Sequence, residues 1–259
     1  MKQLLKGATV VSGDGFQRID VLIEDETISE TGVDIKCSDA KVIDLTGKYL
    51  FPGFIDAHTH FDLEVSGTVT ADNFYTGTKA AIAGGTTMIL DFATQNKGET
   101  LAEALQNWHK KSDWNSSCDY GFHLAVSDWN EAISEELEQV VEDGITSFKV
   151  YMTYDAMILN DKEIYQVLKR IKELGGVVGV HCENKGIIDA LVEEEKAAHN
   201  LTPKSHPITR PPEAEAEAIG RLLKIARVAA TPVIVVHLST KAGLQEISSA
   251  RKNGQKVYV

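Results

Sequence analysis

Apolar strand-like runs alternating with amphipathic segments from residue 51 onward predict an α/β fold, a parallel sheet covered by helices. Two observations favour a (β/α)8 TIM-type barrel over a doubly wound sheet. No glycine-rich phosphate loop follows the first strand, and histidines recur at the ends of separate strands. In a barrel those ends meet at one mouth.

Residues 1–50 read differently. Leu4 to Val11 is apolar, Ser12-Gly-Asp-Gly15 is turn chemistry, Ile19 to Ile23 is rich in β-branched residues, and Lys41 to Leu45 is a further short strand. No helix is expected there, and the stretch reads as a small β unit packed beside the rest of the chain. From residue 51 the rhythm is strand, loop, helix. The first strand ends in His58-Thr-His60, and Thr70 to Ala83 reads as a helix stopped by Gly84-Gly85. Strand two is Thr86 to Ala93, and Thr100 with Glu103 forms a capping box that opens a helix to about Lys111. Strand three is Tyr120 to Val126, followed by a helix from about Asn130 to Asp143. Strand four is Ser147 to Met152. The next helix, opened by Asn160 or Asp161, aligns Ile164, Val167, Leu168, Ile171 and Leu174 on one stripe. Strand five is Val177 to His181. A helical stretch, a loop and a helix from Pro211 to about Ala229 lead to strand six, Val233 to Leu238. A helix from Thr240 to Asn253 precedes Lys256-Val-Tyr-Val, the start of strand seven. Six strands and the beginning of a seventh fall short of eight, and a full barrel takes about 250 residues. The expectation is therefore a piece of a longer protein, cut inside strand seven: residues 1–50 a β portion, residues 51–259 an incomplete barrel.

Composition is that of an ordinary globular chain, 43% hydrophobic and 25% charged over 259 residues. A net charge of −12, with no basic stretch to offset it, argues against nucleic acid or an anionic membrane as partner. Cys37, Cys118 and Cys182 are far apart with no C-x-x-C, so neither a disulfide framework nor a thiolate zinc site is indicated. No apolar run approaches ~18 residues, and the first residues lack a signal-peptide core. A cytoplasmic protein is expected.

Alternation along a strand puts His58 and His60 on one face, where two imidazoles suit a divalent cation. The plain alternative is a polar strand end with solvated histidines. His181 and His237 end two further strands, and four such histidines point to one shared metal site at the mouth. Lys149 is the odd member, an ammonium in an apolar strand where burial is costly. Either its stem is buried and its head reaches a carboxylate or solvent, or its amine is carboxylated by CO₂ into an anionic carbamate able to bridge two metal ions. Asp56 is read as either an orienting partner of a histidine or a strand cap. His109, His123, His199 and His206 are read as surface or packing residues.

At these residues the chain resembles the cyclic amidohydrolases, specifically the dihydropyrimidinase/hydantoinase branch. The stretches that carry the resemblance are Phe51-Pro-Gly-Phe-Ile-Asp-Ala-His-Thr-His60, Gly67 to Phe74, Phe148-Lys-Val-Tyr-Met-Thr-Tyr154, Val180-His-Cys-Glu-Asn184, Ser205-His-Pro-Ile-Thr-Arg-Pro-Pro-Glu-Ala-Glu-Ala216 and Val236-His-Leu-Ser239. It covers essentially the whole chain. It implies a metal-dependent hydrolase barrel with an amino-terminal β-sandwich portion and two divalent ions, expected to be zinc. His58, His60 and carboxylated Lys149 would hold one ion; Lys149, His181 and His237 would hold the other. Tyr154 would bind the substrate carbonyl. The implied reaction is attack of a bridging hydroxide on the ring amide of a small cyclic diamide, in a homo-oligomer (tetramer or dimer). The family's last ligand, an aspartate after strand eight that also shuttles the proton, would lie beyond residue 259, so the chain alone is expected to be inactive. Leu63, Val65, Tyr151 and Ile158 correspond to variable residues around the substrate side chain and do not name the substrate. An allantoinase- or dihydroorotase-like enzyme and a non-catalytic scaffold relative are the alternatives; the Pro-Ile-Thr-Arg-Pro-Pro segment with Tyr154 disfavours the first, and the intact ligand positions disfavour the second.

Overall fold

The computed structural model describes residues 1–65 and 67–259. Its amino-terminal sheet is built on a long hairpin of β1 (Lys2–Ser12) and β2 (Gly15–Glu24), longer than the short strands expected. β3 (Thr27–Gly32) pairs antiparallel with β2, while β4 (Lys41–Asp44) and β5 (Tyr49–Leu50) pair parallel with β1. The register of β1 on β2 shifts between Leu5 and Ala8, where Gly7 sits at φ +74°. A side chain would be strained there. Buried Asp20 reaches across to accept the N–H groups of Gly7 (2.8 Å) and Ile35 (3.1 Å). Leu4, Leu22 and Ile35 form the small core of this sheet.

The second sheet is parallel and seven-stranded, in the order β14-β13-β12-β11-β10-β9-β6. Its strands are β6 (Phe54–Thr59), β9 (Thr86–Thr94), β10 (Asp119–Ala125), β11 (Ser147–Tyr151), β12 (Val177–His181), β13 (Val233–Val235) and β14 (Val257–Tyr258), with a hairpin of β7 (Glu64–Val65) and β8 (Thr68–Val69) after β6. Helices alternate with them: α1 (Phe74–Ala83), α2 (Leu101–Ser112), α3 (Glu131–Glu142), α4 (Asp161–Glu173), α5 (Lys185–Ala197), α6 (His206–Thr209), α7 (Pro212–Ala229) and α8 (Lys241–Lys252). The sheet curls. β6 lies at one end of the strand order and β13 near the other, yet the rings of His58 and His237 are 5.5 Å apart. Buried Leu124, Phe148, Val150, Val178 and Val180 pack the sheet against the Ile164, Val167, Leu168 and Ile171 stripe of α4 and the apolar face of α7.

Most boundaries follow local chemistry. The Thr100/Glu103 capping box opens α2, and Asn160, with Glu163 reaching back to its N–H (2.7 Å), opens α4. Two expectations are corrected. The helix expected from Thr70 begins at Phe74, because Asn73 and Thr76 cap it and Thr70 stays hydrogen-bonded to Leu63 at the base of the β7–β8 hairpin. Strand six ends at Val235 instead of running through His237, since His237 turns to φ +39° and leaves the ladder.

Candidate metal centre

His58 lies on β6 and His60 one residue past its end, with rings 5.1 Å apart. Their positions follow from the strand's pleat, fixed from below by buried Asp91. That carboxylate accepts the Thr59 hydroxyl and Phe61 N–H on one oxygen (both 2.8 Å), and the Phe92 N–H (2.8 Å) and Trp108 indole N–H (2.9 Å) on the other. Burial raises its pKa, and the four donors oppose that rise. Asp56 accepts the backbone N–H of His58 (3.2 Å), which makes it a backbone brace and not a partner of the imidazole.

Lys149 on β11 is 1% exposed, and no carboxylate of the described residues lies within ion-pair reach. Its Nζ is 3.4 Å from His58 Nε2 and 4.2 Å above the Phe92 ring. Neither carboxylate nor solvent compensates it, so burial pushes the amine down to about 8. His181 ends β12, and its Nδ1 is 3.0 Å from Nε2 of His237. The structure thus gathers His58, His60, His181 and His237 at the carboxyl ends of three strands, with Lys149 reaching them from the middle of a fourth. Burial first, then the neighbouring Lys149, holds His58 down to about 4 and His60 down to about 3; burial and then His181 hold His237 down to about 4. These imidazoles are neutral near pH 7 and present lone pairs, as ligand nitrogens must.

Two observations fit this cluster to divalent cations. His60 Nδ1 is buried with no hydrogen-bond partner, and the donor set of neutral imidazoles around a buried amine suits a borderline ion such as zinc. No three His, Cys, Asp or Glu side chains of the described residues already meet around one point. The arrangement is two histidine pairs, with the Lys149 amine lying beside His58.

Tyr154 stands at φ +66° with its ring 5.1 Å from that of His181, and burial raises its phenol pKa. It opens onto a cleft of about 370 Å³ whose walls include Glu64, Val65, Lys185 and Arg210. Tyr151 stacks on His181, and Ile158 bridges to Tyr151; Leu63 is buried in the core. His123 is a packing residue, as expected. Its Nε2 donates to the Ala57 carbonyl (3.0 Å), its Nδ1 faces the Ser147 hydroxyl (2.6 Å), and burial lowers its pKa.

Three site residues escape sequence reading. Phe92 carries stacked His60 and His123, tilted His58 and the Lys149 amine around a single ring. Asp91 had one visible signal, a carboxylate inside the apolar run Ile89-Leu-Asp-Phe-Ala93. Glu183, whose Oε2 is 2.8 Å from His181 Nε2, lay in plain view in Val180-His-Cys-Glu-Asn without an assigned task. Burial works to raise the Glu183 pKa, but the His181 hydrogen bond and Arg210 hold it below the usual range.

Residues 49–258 match the model of the amidohydrolase family, and the chain belongs to that family. Within it, the chain is 44% identical over 260 residues to D-hydantoinase of Geobacillus stearothermophilus, a match spanning 100% of this chain and 55% of the relative. It is 41% identical over 261 residues to dihydropyrimidinase of Dictyostelium discoideum, across 98% of this chain and 51% of that protein. The crystal structure of dihydropyrimidinase from Brevibacillus agri superposes with a TM-score of 0.97 at 46% identity, covering 100% of this chain and 56% of the other. The chain spans about half the length of the curated relatives it matches.

Proposed function

We propose that the polypeptide carrying this chain is a metal-dependent hydrolase of the ring amide of cyclic diamides, 5,6-dihydropyrimidines and hydantoins. The observation that carries this reading is the gathering of four imidazoles, His58 and His60 against the Phe92 ring and His181 and His237 beside them, with one buried amine that no carboxylate pairs. His58, His60 and Lys149 would hold one divalent ion and Lys149, His181 and His237 a second, with zinc the ion we expect. Lys149 would carry CO₂ as a carbamate, whose anionic oxygens replace a cation that nothing else compensates. When bound, such ions would supply Lewis acidity and make hydroxide available from water near neutral pH.

The chain's own residues then have definite tasks. Tyr154, protonated at neutral pH, would donate its hydroxyl to the substrate carbonyl oxygen and stabilise the negative charge that grows there. Residues lining the adjacent cleft would receive the ring substituent. Asp91 would hold the His58–His60 strand end at a fixed pitch. Glu183 is engaged with His181, so it is not free to act as general base, and we expect these 259 residues alone to be inactive. We assign residues 1–50 as a β-sandwich portion and residues 51–259 as an incomplete (β/α)8 metallohydrolase barrel. The three unpaired cysteines support a cytoplasmic location, and we expect a dimer or tetramer.

Metal analysis and a ring-opening assay on the parent polypeptide test this. About two zinc ions per chain and hydrolysis of dihydrouracil or hydantoin are expected. A protein that binds no metal and opens neither ring overturns the reading.

A further inference from the structure

The segment Ser205-His-Pro-Ile-Thr-Arg-Pro-Pro supplies no metal ligand, yet beyond walling the cleft with Arg210 it ends beside the cluster. Thr209 is buried; its hydroxyl donates to the His206 carbonyl (3.1 Å) and accepts from the Arg210 guanidinium (3.2 Å). The other side of that guanidinium, Nε, lies 3.9 Å from Glu183 Oε1. The second oxygen of the same carboxylate, Oε2, meets His181 Nε2 at 2.8 Å. Glu183 thus sits between a guanidinium and an imidazole, with one oxygen for each.

We propose that Glu183, steadied by Arg210, is a positioning residue that fixes His181 in the tautomer whose Nδ1 is free to bind a cation. An ionised carboxylate can only accept, so the proton of His181 resides on Nε2. Nδ1 then carries the lone pair, and it is the atom that faces His237 Nε2 at 3.0 Å. The carboxylate also raises the basicity of the imidazole it binds, which strengthens the opposite nitrogen as a donor. His181 lies at the end of its strand, where backbone pairing leaves ring rotation open, so an outside partner is needed to choose the nitrogen. Glu183 is that partner, and the Pro-Ile-Thr-Arg-Pro-Pro arm steadies it through Arg210. Proline on both sides of Ile208–Arg210 stiffens the arm, and the buried Thr209 anchors it.

This inference rests on the metal-centre reading, and the experiment separates the two. Metal-free parent polypeptide, wild type and Glu183→Gln, is titrated with Zn²⁺ against a chromophoric chelator, and with Co²⁺ for its visible absorption spectrum. The amide of glutamine can turn either face to His181 and so no longer selects a tautomer. A loss of about tenfold to a hundredfold in Zn²⁺ affinity, an altered Co²⁺ band, and an unchanged unfolding midpoint of the metal-free protein are expected. Glu183→Asp should recover part of the affinity. Arg210→Gln, which leaves the carboxylate in place, should give a smaller loss in the same direction and covers the case of a Glu183 variant that does not fold. Equal Zn²⁺ affinity and identical Co²⁺ spectra in wild type and Glu183→Gln overturn the role of Glu183 while leaving the metal centre standing. A wild type that takes up neither ion overturns both.

Discussion

Tyr154 and His237 are both held in left-handed backbone, at φ +66° and +39°, a conformation that disfavours bulky side chains. Each aims its ring at the cluster from just beyond a strand, so the strain serves position. If Tyr154 donates to the growing oxyanion, Tyr154→Phe should lower kcat about 10²–10³-fold with little change in unfolding midpoint, read by steady-state kinetics and thermal melts. Asp91 acts on stability instead. Asp91→Ala leaves four donors in the interior without an acceptor and should cost about 3–5 kcal/mol, measured by urea titration. His123 gives the fold a pH dependence of known sign. Its folded pKa lies below the unfolded value, so its stabilisation is complete above about pH 6.5. That contribution is lost as pH falls through the lower folded value. His123→Asn should flatten the part of the stability-versus-pH curve that lies below about pH 6.5, as urea midpoints at about pH 7 and about pH 5 would reveal. The ligand candidates were legible because their spacing is a strand property. Phe92 was not, because an aromatic ring in an apolar strand gives no local sign that three imidazoles will lie against it.

At the scale of elements, the loop after His60 is set by how closely α1 approaches it. A methyl group added at Gly77 would fall 2.4 Å from the Phe61 ring, and Phe61 also packs edge-on against Phe74 at 5.7 Å. Gly77→Ala should therefore destabilise by about 1–3 kcal/mol despite the better helix propensity of alanine, and Phe61→Leu should restore part of it in the double variant, by chemical denaturation. Helices were readable wherever a cap and an apolar stripe agreed, as at Asn160 with Ile164 to Ile171. The helical pattern begins too early at Thr70 because that residue extends the β7–β8 hairpin, donating its N–H to the Leu63 carbonyl (3.0 Å). Such a hairpin depends on a partner only a few residues away, and helical periodicity does not register it. The early end of β13 had no sequence signal either, since Val233 to Val236 reads as an unbroken strand.

For the whole molecule, the parallel order of the second sheet followed from alternation, and its curl from histidines recurring at separate strand ends, which face one another from β6 and from beyond β13. The amino-terminal sheet was seen as β structure, yet its length was underread because the bulge at Gly7 interrupts the alternation. No helix among the described residues is long and apolar enough to cross a membrane. If cations tie the distant strands together, they should hold the fold as a unit. Free zinc at about a hundred times its dissociation constant should add about 2.7 kcal/mol, seen as a higher unfolding midpoint in calorimetry that a chelator reverses.

The Phe92 ring also constrains how the site can be assembled. Its face is the negative part of an aromatic quadrupole, which welcomes an ammonium 4.2 Å away and repels an anion in the same place. Turning the lysine head from cation into carbamate exchanges attraction for repulsion unless new positive charge arrives beside it. If Lys149 is carboxylated as proposed, the benzene ring would work as an interlock, under which the modification and the ions would be gained together and lost together.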